Sequence, residues 1–179
     1  QYRFDLLATT LYEFVWHEYC DWYLELSKGV LYNTESLPAM KRGTQRTLLY
    51  VLENILRLAH PIIPFITEEI WQKTAKLCGK TADSIMIESY PQVKTEQINQ
   101  AVEVEVEWLK QVIQKIRTIR SEMNVPPSKP INVLLQNGQA KDLELSKKFN
   151  ILLKDLAKIE SLSWLKADET PPASATALV

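Results

Sequence analysis

Apolar residues recur every three or four positions along four stretches of the chain, and polar residues fill the positions between them. Side chains three, four and seven residues apart share one face of an α-helix. The pattern therefore predicts helices over residues 2–28, 44–59, 65–77 and 96–123. The predicted buried face of the first helix comprises Phe4, Ala8, Leu11, Val15, Trp22 and Leu26. Gly29 and Gly43 fall at the edges of these stretches, where glycine is expected to separate helices.

The pattern changes after Pro126-Pro127. Residues 131–135 form a short, aliphatic, partly β-branched run between a proline and a glycine, which predicts a β-strand. Helical spacing resumes over residues 139–158, and residues 162–165 are suited to a second strand. A short extended piece is also expected at residues 84–88.

Together these elements predict a mainly α fold. An antiparallel helical bundle is expected over residues 1–127 and a small strand–helix–strand subdomain over residues 128–170. Residues 171–179 contain Pro171-Pro172 and small side chains, so we expect them to be a linker.

Composition narrows the class of protein. The 179 residues are 46% hydrophobic and 24% charged, which is ordinary for a globular domain and argues against a disordered chain. The formal net charge is −1, so a nucleic-acid surface would have to be a local basic patch. Cys20 and Cys78 form neither a disulfide framework nor a metal knuckle, and no apolar run is long enough for a membrane span. We expect a cytoplasmic protein with no membrane partner.

An aromatic series follows the first predicted helix at spacings of four, three and four residues. Its members are Tyr12, Trp16, Tyr19 and Tyr23. Aromatic faces on one side of a helix can stack unpaired RNA bases. Alternatively, these rings widen the buried face and keep their polar edges at its boundary.

The second half of the fourth predicted helix is basic. Residues 108–130 contain five basic residues and one acidic residue, Glu122. Such a patch suits phosphate contacts, but basic residues also complement the dipole at the C-terminal end of a helix. Glu122 could pin the following loop through Arg117 and Arg120, or orient these two arginines for RNA.

The sequence contains few candidates for metal binding or catalysis. His17, Asp21 and Glu25 share one helix face but are more typical of a solvated surface than of a metal site, and His60 at a helix break is typical of a buried or capping residue. The sequence contains no glycine-rich phosphate loop, no Gly-x-Ser-x-Gly and no paired histidines, so we predict neither a catalytic site nor a metal site.

Three stretches carry a resemblance to a known family. They run from Trp16 to Glu25 (WHEYCDWYLE), from His60 to Trp71 (HPIIPFITEEIW) and from Ile116 to Pro127 (IRTIRSEMNVPP). They resemble the C-terminal part of class I aminoacyl-tRNA synthetases for branched aliphatic amino acids. The CDWYLE sequence is the most particular and resembles the valyl-tRNA synthetases.

The resemblance implies a helical anticodon-binding domain that contacts tRNA(Val), an RNA partner and not DNA. It also implies a catalytic domain of the same chain that uses ATP with Mg, an editing domain, and a coiled-coil arm after this region. The catalytic His-x-Gly-His and Lys-Met-Ser-Lys-Ser signatures of the family are absent from these residues. No cofactor is therefore expected here, and the strand–helix–strand subdomain is expected to lack its final strand.

Within this family the middle and third anticodon bases are expected to matter most. The residues predicted to contact tRNA are Tyr19, Tyr23, Lys28, Lys110, Arg117 and Arg120. Two alternatives stay open at this point. One is the same domain of an isoleucyl- or leucyl-tRNA synthetase, and the other is a helical protein-interaction scaffold with an apolar groove in place of a basic one.

Overall fold

The computed structural model describes residues 2–166 and 168–179. Their contacts divide the chain between Lys94 and Thr95 into two compact units. Among the described residues, the regular structure of the first unit is helical, whereas the second unit combines helices with a two-stranded sheet. The predicted mainly α fold with a small strand-containing part is confirmed. The domain boundaries predicted at residues 127 and 170 stay predictions.

The first predicted helix is continuous but changes its winding. It begins as α1 (Phe4–Glu13), widens into a π-helix (Phe14–Leu24) and closes as α2 (Glu25–Leu31). The expected stop at Gly29 is wrong, because Gly29 lies within α2 and the chain leaves the helix only at Tyr32. A π-helix of eleven residues is rare, and the hydrophobic spacing of the sequence predicts only an ordinary α-helix here.

The next helix, α3 (Pro38–Ala59), begins six residues before the predicted start at residue 44. Pro38 occupies the first turn, where its fixed φ suits the helix and its missing N–H has no helical acceptor. Gly43 therefore lies inside α3 and not at a boundary. After a short turn, α4 (Pro64–Thr74) leads into a 3₁₀ turn (Ala75–Cys78) that ends at Gly79 with a φ of 72°.

The core of the first unit joins α3, α4 and a loop turn. Leu56, Trp71, Ala75 and Ile85 are buried together, with Leu52, Ile70 and Ala82 packed around them. The extended piece predicted at residues 84–88 is wrong, because Ile85–Ile87 forms a 3₁₀ turn. The Glu68 carboxylate accepts hydrogen bonds from Ser84 Oγ and from the Ile85 backbone N–H, and these bonds fix the turn over the core.

The predicted buried face of the first helix is only partly correct. Trp22 is buried, and Leu11, Val15 and Leu26 are partly buried. Phe4 is 69% exposed, and no residue of α1 is buried. Side-chain periodicity identifies an apolar face, but burial also requires a packing partner, and of the segments of the first helix α2 packs most extensively against α3.

The second unit is built around α5 (Gln100–Glu122), which follows a 3₁₀ turn (Thr95–Gln97). It continues with β1 (Ile131–Leu135), α6 (Ala140–Lys148), α7 (Asn150–Ala157) and β2 (Ile159–Trp164). The two strands pair in parallel, with a register shift between Ile131 and Asn132. Both predicted strands are confirmed, although the second begins three residues before the predicted residue 162.

Apolar residues of α5, α6, α7 and β2 form the core of the second unit. The buried members are Leu109, Val112, Ile113, Ile116, Leu145, Leu153, Ala157 and Ile159. Because α5 packs against α7 and α7 packs against β2, this core fixes the C-terminal half of α5 beside the loop that leads to β1.

Candidate nucleic-acid interface

Tyr19 and Tyr23 lie one turn apart in the π-helix with their ring centroids 6.3 Å apart. Tyr19 is buried, and its hydroxyl donates to the Leu48 carbonyl of α3 at 3.1 Å. Burial raises the pKa of Tyr19 to about 12. Tyr19 thus holds the first helix against α3, whereas Tyr23 keeps part of its ring accessible.

Lys28 lies in α2 and is exposed, with its ammonium 2.6 Å from the Glu25 carboxylate. Exposed pairs of this kind are weak and yield readily to a phosphate. Lys28 is therefore the predicted contact of this helix that is most available to an anion.

The aromatic series does not form one continuous stripe. Tyr12 and Trp16 are exposed and stack with an interplanar angle of 4°, whereas the next members, Tyr19 and Tyr23, belong to the packed part of the helix. The wider turn of the π-helix keeps residues four apart together and turns residues three apart away from each other. Hence Trp16 and Tyr19 differ in burial although α-helical spacing would place them together.

Arg120 is buried at the end of α5, where it organises the loop before β1. Its Nη2 lies 2.5 Å from the Pro126 carbonyl, 3.1 Å from the Pro127 carbonyl and 2.5 Å from the Lys129 carbonyl. Its Nη1 also donates to the Ala157 carbonyl at 3.5 Å. Arg120 thus pins the loop through its backbone carbonyls. Glu122, the acidic residue that could also have pinned the loop, is exposed.

Arg117 lies one turn before Arg120 and is exposed, with its Nη2 3.4 Å from the Leu156 carbonyl. The two arginines line one groove of about 570 Å³ with the loop that Arg120 holds. We call this the Arg117 groove, and its lining comprises Arg117, Arg120, Ser121, Asn124, Val125, Pro126 and Pro127. Two proline rings, an amide side chain and one accessible guanidinium make it a surface on which a base can stack and a phosphate can bind.

Lys110 does not line the Arg117 groove. Its side chain is only 12% exposed, and its ammonium lies 3.4 Å from Glu107. Of the six predicted contacts, Arg117 and Arg120 line one groove of the second unit. Tyr19 and Tyr23 form a ring pair in the first unit. Contact between these six residues and RNA stays a prediction.

A second groove, of about 660 Å³, lies on one face of α3 and contains residues that were not among the predicted contacts. We call it the α3 pocket. Its lining carries five basic residues, Arg42, Arg46, Arg57, Lys80 and Lys94, and one acidic residue, Glu53. The i, i+4 repeat of Arg42, Arg46 and Tyr50 is a signal that could have identified it.

Glu53 is buried at the floor of the α3 pocket and is neutralised there. Arg57 pairs with both carboxylate oxygens at 2.7 Å, and Trp71 Nε1 donates to Oε1 at 3.3 Å. Lys80 Nζ lies 3.7 Å from Glu53 and 2.5 Å from Glu88. The same lining includes Cys78, whose thiol pKa burial raises. These contacts leave the pocket without an unpaired negative charge at Glu53.

The histidines have structural surroundings. His60 Nδ1 lies 2.8 Å from Thr67 Oγ1, whose hydroxyl also contacts the Ile63 carbonyl at 2.9 Å, so His60 braces the turn between α3 and α4. His17 Nδ1 lies 3.3 Å from Asp21 on the exposed side of the π-helix. Among the described residues no three histidine, cysteine or acidic side chains come together as a metal site. Nor does any described helix have the length and apolar content of a membrane span.

Comparison with known proteins identifies the family. The model of the family described as the anticodon-binding domain of tRNA ligase matches residues 1–135. The chain therefore belongs to the anticodon-binding domain family of tRNA ligases.

Two curated relatives that match nearly the whole chain are valine--tRNA ligases. A valine--tRNA ligase of Legionella pneumophila (strain Paris) is 56% identical over 178 residues, which are 99% of this chain and 19% of the relative. A valine--tRNA ligase of Coxiella burnetii is 50% identical over 179 residues, which are 100% of this chain and 20% of the relative. The chain thus spans about a fifth of the length of the curated relatives that it matches.

Proposed function

We propose that this chain is the part of a valine--tRNA ligase that binds the anticodon region of tRNA(Val). The observation that carries the proposal is the 50–56% identity to valine--tRNA ligases along 99–100% of the chain. In the longer protein the chain works beside a catalytic domain that attaches valine to tRNA with ATP and Mg. Its own contribution is to bind RNA, in the cytoplasm, where the free thiols of Cys20 and Cys78 stay reduced.

The Arg117 groove supplies the chemistry that such binding needs. Unpaired anticodon bases are recognised by stacking and by hydrogen bonds to their edges, and the neighbouring phosphates by guanidinium groups. Arg117 is the accessible cation of this groove, and Asn124, which lines it, is exposed at its edge with a φ of 52°. Arg120 acts as a positioning residue here, because its guanidinium is occupied by the loop carbonyls.

A salt-titrated binding assay tests the proposal. The chain is titrated with tRNA(Val) and with the same tRNA carrying altered middle and third anticodon bases. The proposal predicts tighter binding of the unaltered tRNA. Equal affinities with a strong salt dependence would reduce the chain to a phosphate-holding surface, and no binding at low salt would contradict the proposal.

Arg117→Gln tests the groove within the same assay. If Arg117 meets a phosphate, its loss flattens the slope of log affinity against log salt by about one. Lys141→Gln is the matched control. Lys141 is exposed in α6, and its substitution removes one positive charge outside the groove. Equal slopes for the two variants would argue against Arg117.

A further inference from the structure

The α3 pocket presents its cations in an ordered row. Arg42, Arg46 and Tyr50 lie at successive turns on the same face of α3, and all three line the pocket. The two arginines and Lys94 are exposed, and Tyr50 is 40% exposed. A chain with a net charge of −1 has here a local surface on which positive charge predominates.

The floor of the pocket explains why this charge stays available to an anion. Glu53 is the acidic residue of the lining, and Arg57 binds both of its oxygens at 2.7 Å. Lys80 is engaged by Glu88 at 2.5 Å. Because Arg57 and Lys80 neutralise the carboxylates of Glu53 and Glu88, the rim residues Arg42, Arg46 and Lys94 define the electrostatics that a ligand meets.

Tyr50 adds an aromatic face to this basic rim. Lys94 Nζ lies 5.3 Å from the centroid of the Tyr50 ring, in the geometry of a cation–π contact. The lysine side chain is flexible, so the Lys94 ammonium can bind a phosphate when a base displaces it from the Tyr50 ring. Tyr50 thus offers a ring for stacking, and Arg46 and Arg42 lie one and two helical turns away. Proteins bind single-stranded nucleic acid with this combination of aromatic rings and cations.

We propose that the α3 pocket binds a nucleotide of single-stranded RNA, with its base on Tyr50 and its flanking phosphates on Arg42 and Arg46. This inference rests on the RNA-binding function proposed above and adds a second contact region on the first unit. Lys94 then moves from the ring to the phosphate. Free phosphate shares the anionic chemistry but has no base, so the tyrosine distinguishes the two ligands.

The test compares variants of the chain in binding a fluorescent single-stranded oligoribonucleotide over a range of salt. Removing two phosphate contacts in the double variant Arg42→Gln/Arg46→Gln is expected to flatten the log–log salt slope by about 1.4. Tyr50→Leu is expected to weaken binding about fivefold or more, and Tyr50→Phe, which keeps the aromatic face, to retain it. The charge-matched control is Lys73→Gln/Lys76→Gln, because both lysines are exposed in the same unit and neither lines the pocket.

The outcomes separate this inference from the proposed function. If the pocket variants bind the oligoribonucleotide like the unaltered chain, the pocket is not an RNA site, whereas the anticodon-altered tRNA assay still decides the proposed function. A loss of inorganic phosphate binding without any change in RNA affinity would make the pocket a free-anion site and overturn the inference. No RNA binding by the unaltered chain at low salt would overturn both.

Discussion

At the scale of single residues, neighbouring arginines of one helix have different tasks. Arg117 is exposed and lines a groove, whereas Arg120 is buried and satisfies carbonyl oxygens of the loop from Pro126 to Lys129. Sequence spacing alone made the two equivalent as RNA contacts. Their difference arises from the position of the loop, since a guanidinium that points at several carbonyls forms a structural support.

Arg120→Lys is predicted to lower the free energy of unfolding by about 1–3 kcal/mol. Lysine keeps the charge, but its compact ammonium cannot replace the planar fork, and carbonyls of the loop lose their guanidinium donor. Chemical denaturation measures the change. Arg117→Lys is the control and should leave stability nearly unchanged, so equal losses for both variants would contradict the structural role of Arg120.

Tyr19 gives the chain a stability term that depends on pH. Its folded-state pKa of about 12 lies above the value of about 10 for an exposed tyrosine. This stabilisation is therefore fully present below pH 10 and is lost as the pH rises from about 10 to about 12. Tyr19→Phe should lose about 1 kcal/mol at neutral pH with the hydrogen bond to Leu48, and its stability should fall less over that alkaline range.

Denaturation at several alkaline pH values, with phenolate absorbance recorded in parallel, checks the role of Tyr19. A conservative variant at an exposed ring, Tyr12→Phe, controls for general alkaline effects. If Tyr19→Phe and the unaltered chain lose stability in parallel above pH 10, the assignment of the shifted pKa to Tyr19 is wrong.

At the scale of elements, an ionic network around the buried carboxylate of Glu53 joins α3 to the loop after α4. Glu53 of α3 binds Arg57, Trp71 and Lys80, and Arg57 also donates to the Ser89 carbonyl at 2.5 Å. The network closes the hydrophobic core of the first unit on the side of the α3 pocket.

Glu53→Gln is predicted to lower the free energy of unfolding by about 3 kcal/mol. The change keeps the shape of the side chain but leaves the largely buried guanidinium of Arg57 without its counter-charge. Glu69→Gln is the control, because the Glu69–Lys73 pair is exposed on both sides. A loss for Glu53→Gln as small as that of the control would mean that the network contributes little.

Another element-scale contact fixes the end of the sheet. A side chain at Gly138 would overlap the ring of Trp164, the last residue of β2, whose indole N–H donates to Ser146 Oγ of α6 at 2.9 Å. We expect Gly138→Ala to destabilise the second unit by about 1–3 kcal/mol through overpacking. Thermal unfolding measures this, with Gly43→Ala as the control, because nothing lies within 4 Å of a Cβ at Gly43.

The helices and strands were largely predictable from sequence, because periodicity and proline punctuation report local structure. Ile131–Leu135 was predicted with its observed bounds. The π-helix at Phe14–Leu24 was not predictable, since spacings of three and four suit an α-helix, and the α-helical assumption merged Trp16 and Tyr19 into one stripe. Likewise a helix boundary at Gly43, as the sequence pattern predicts, would separate Arg42 from Arg46 and Tyr50, which share its face of α3.

At the scale of the whole molecule, the near-neutral charge conceals where the charges lie. Composition indicates that any nucleic-acid surface must be local, and the basic residues around Arg117 are visible in the sequence. For the α3 pocket the sequence shows only the repeat of Arg42, Arg46 and Tyr50, because Lys80 and Lys94 come from loops whose path depends on packing. Residues distant in sequence meet there only after the core of the first unit has formed.

A salt titration of the whole chain tests this distribution of charge. If Arg42, Arg46 and Arg117 each meet one phosphate, raising NaCl from about 50 to about 200 mM should weaken single-stranded RNA binding roughly twentyfold. The net charge of −1 alone would predict repulsion that salt relieves, and hence the opposite trend. Fluorescence anisotropy over this range decides between the two trends.

The loop that Arg120 holds has a kinetic consequence. The backbone N–H groups of Asn124 and Val125 are bonded to α5 carbonyls at 3.1 and 2.8 Å, and the next carbonyls are bonded to Arg120, so the wall of the Arg117 groove is ordered before RNA arrives. An RNA that enters this groove need not wait for the loop to order, and the entropy of ordering is absent from the binding step. Different anticodons should therefore associate at similar rates and be told apart by how long each one stays.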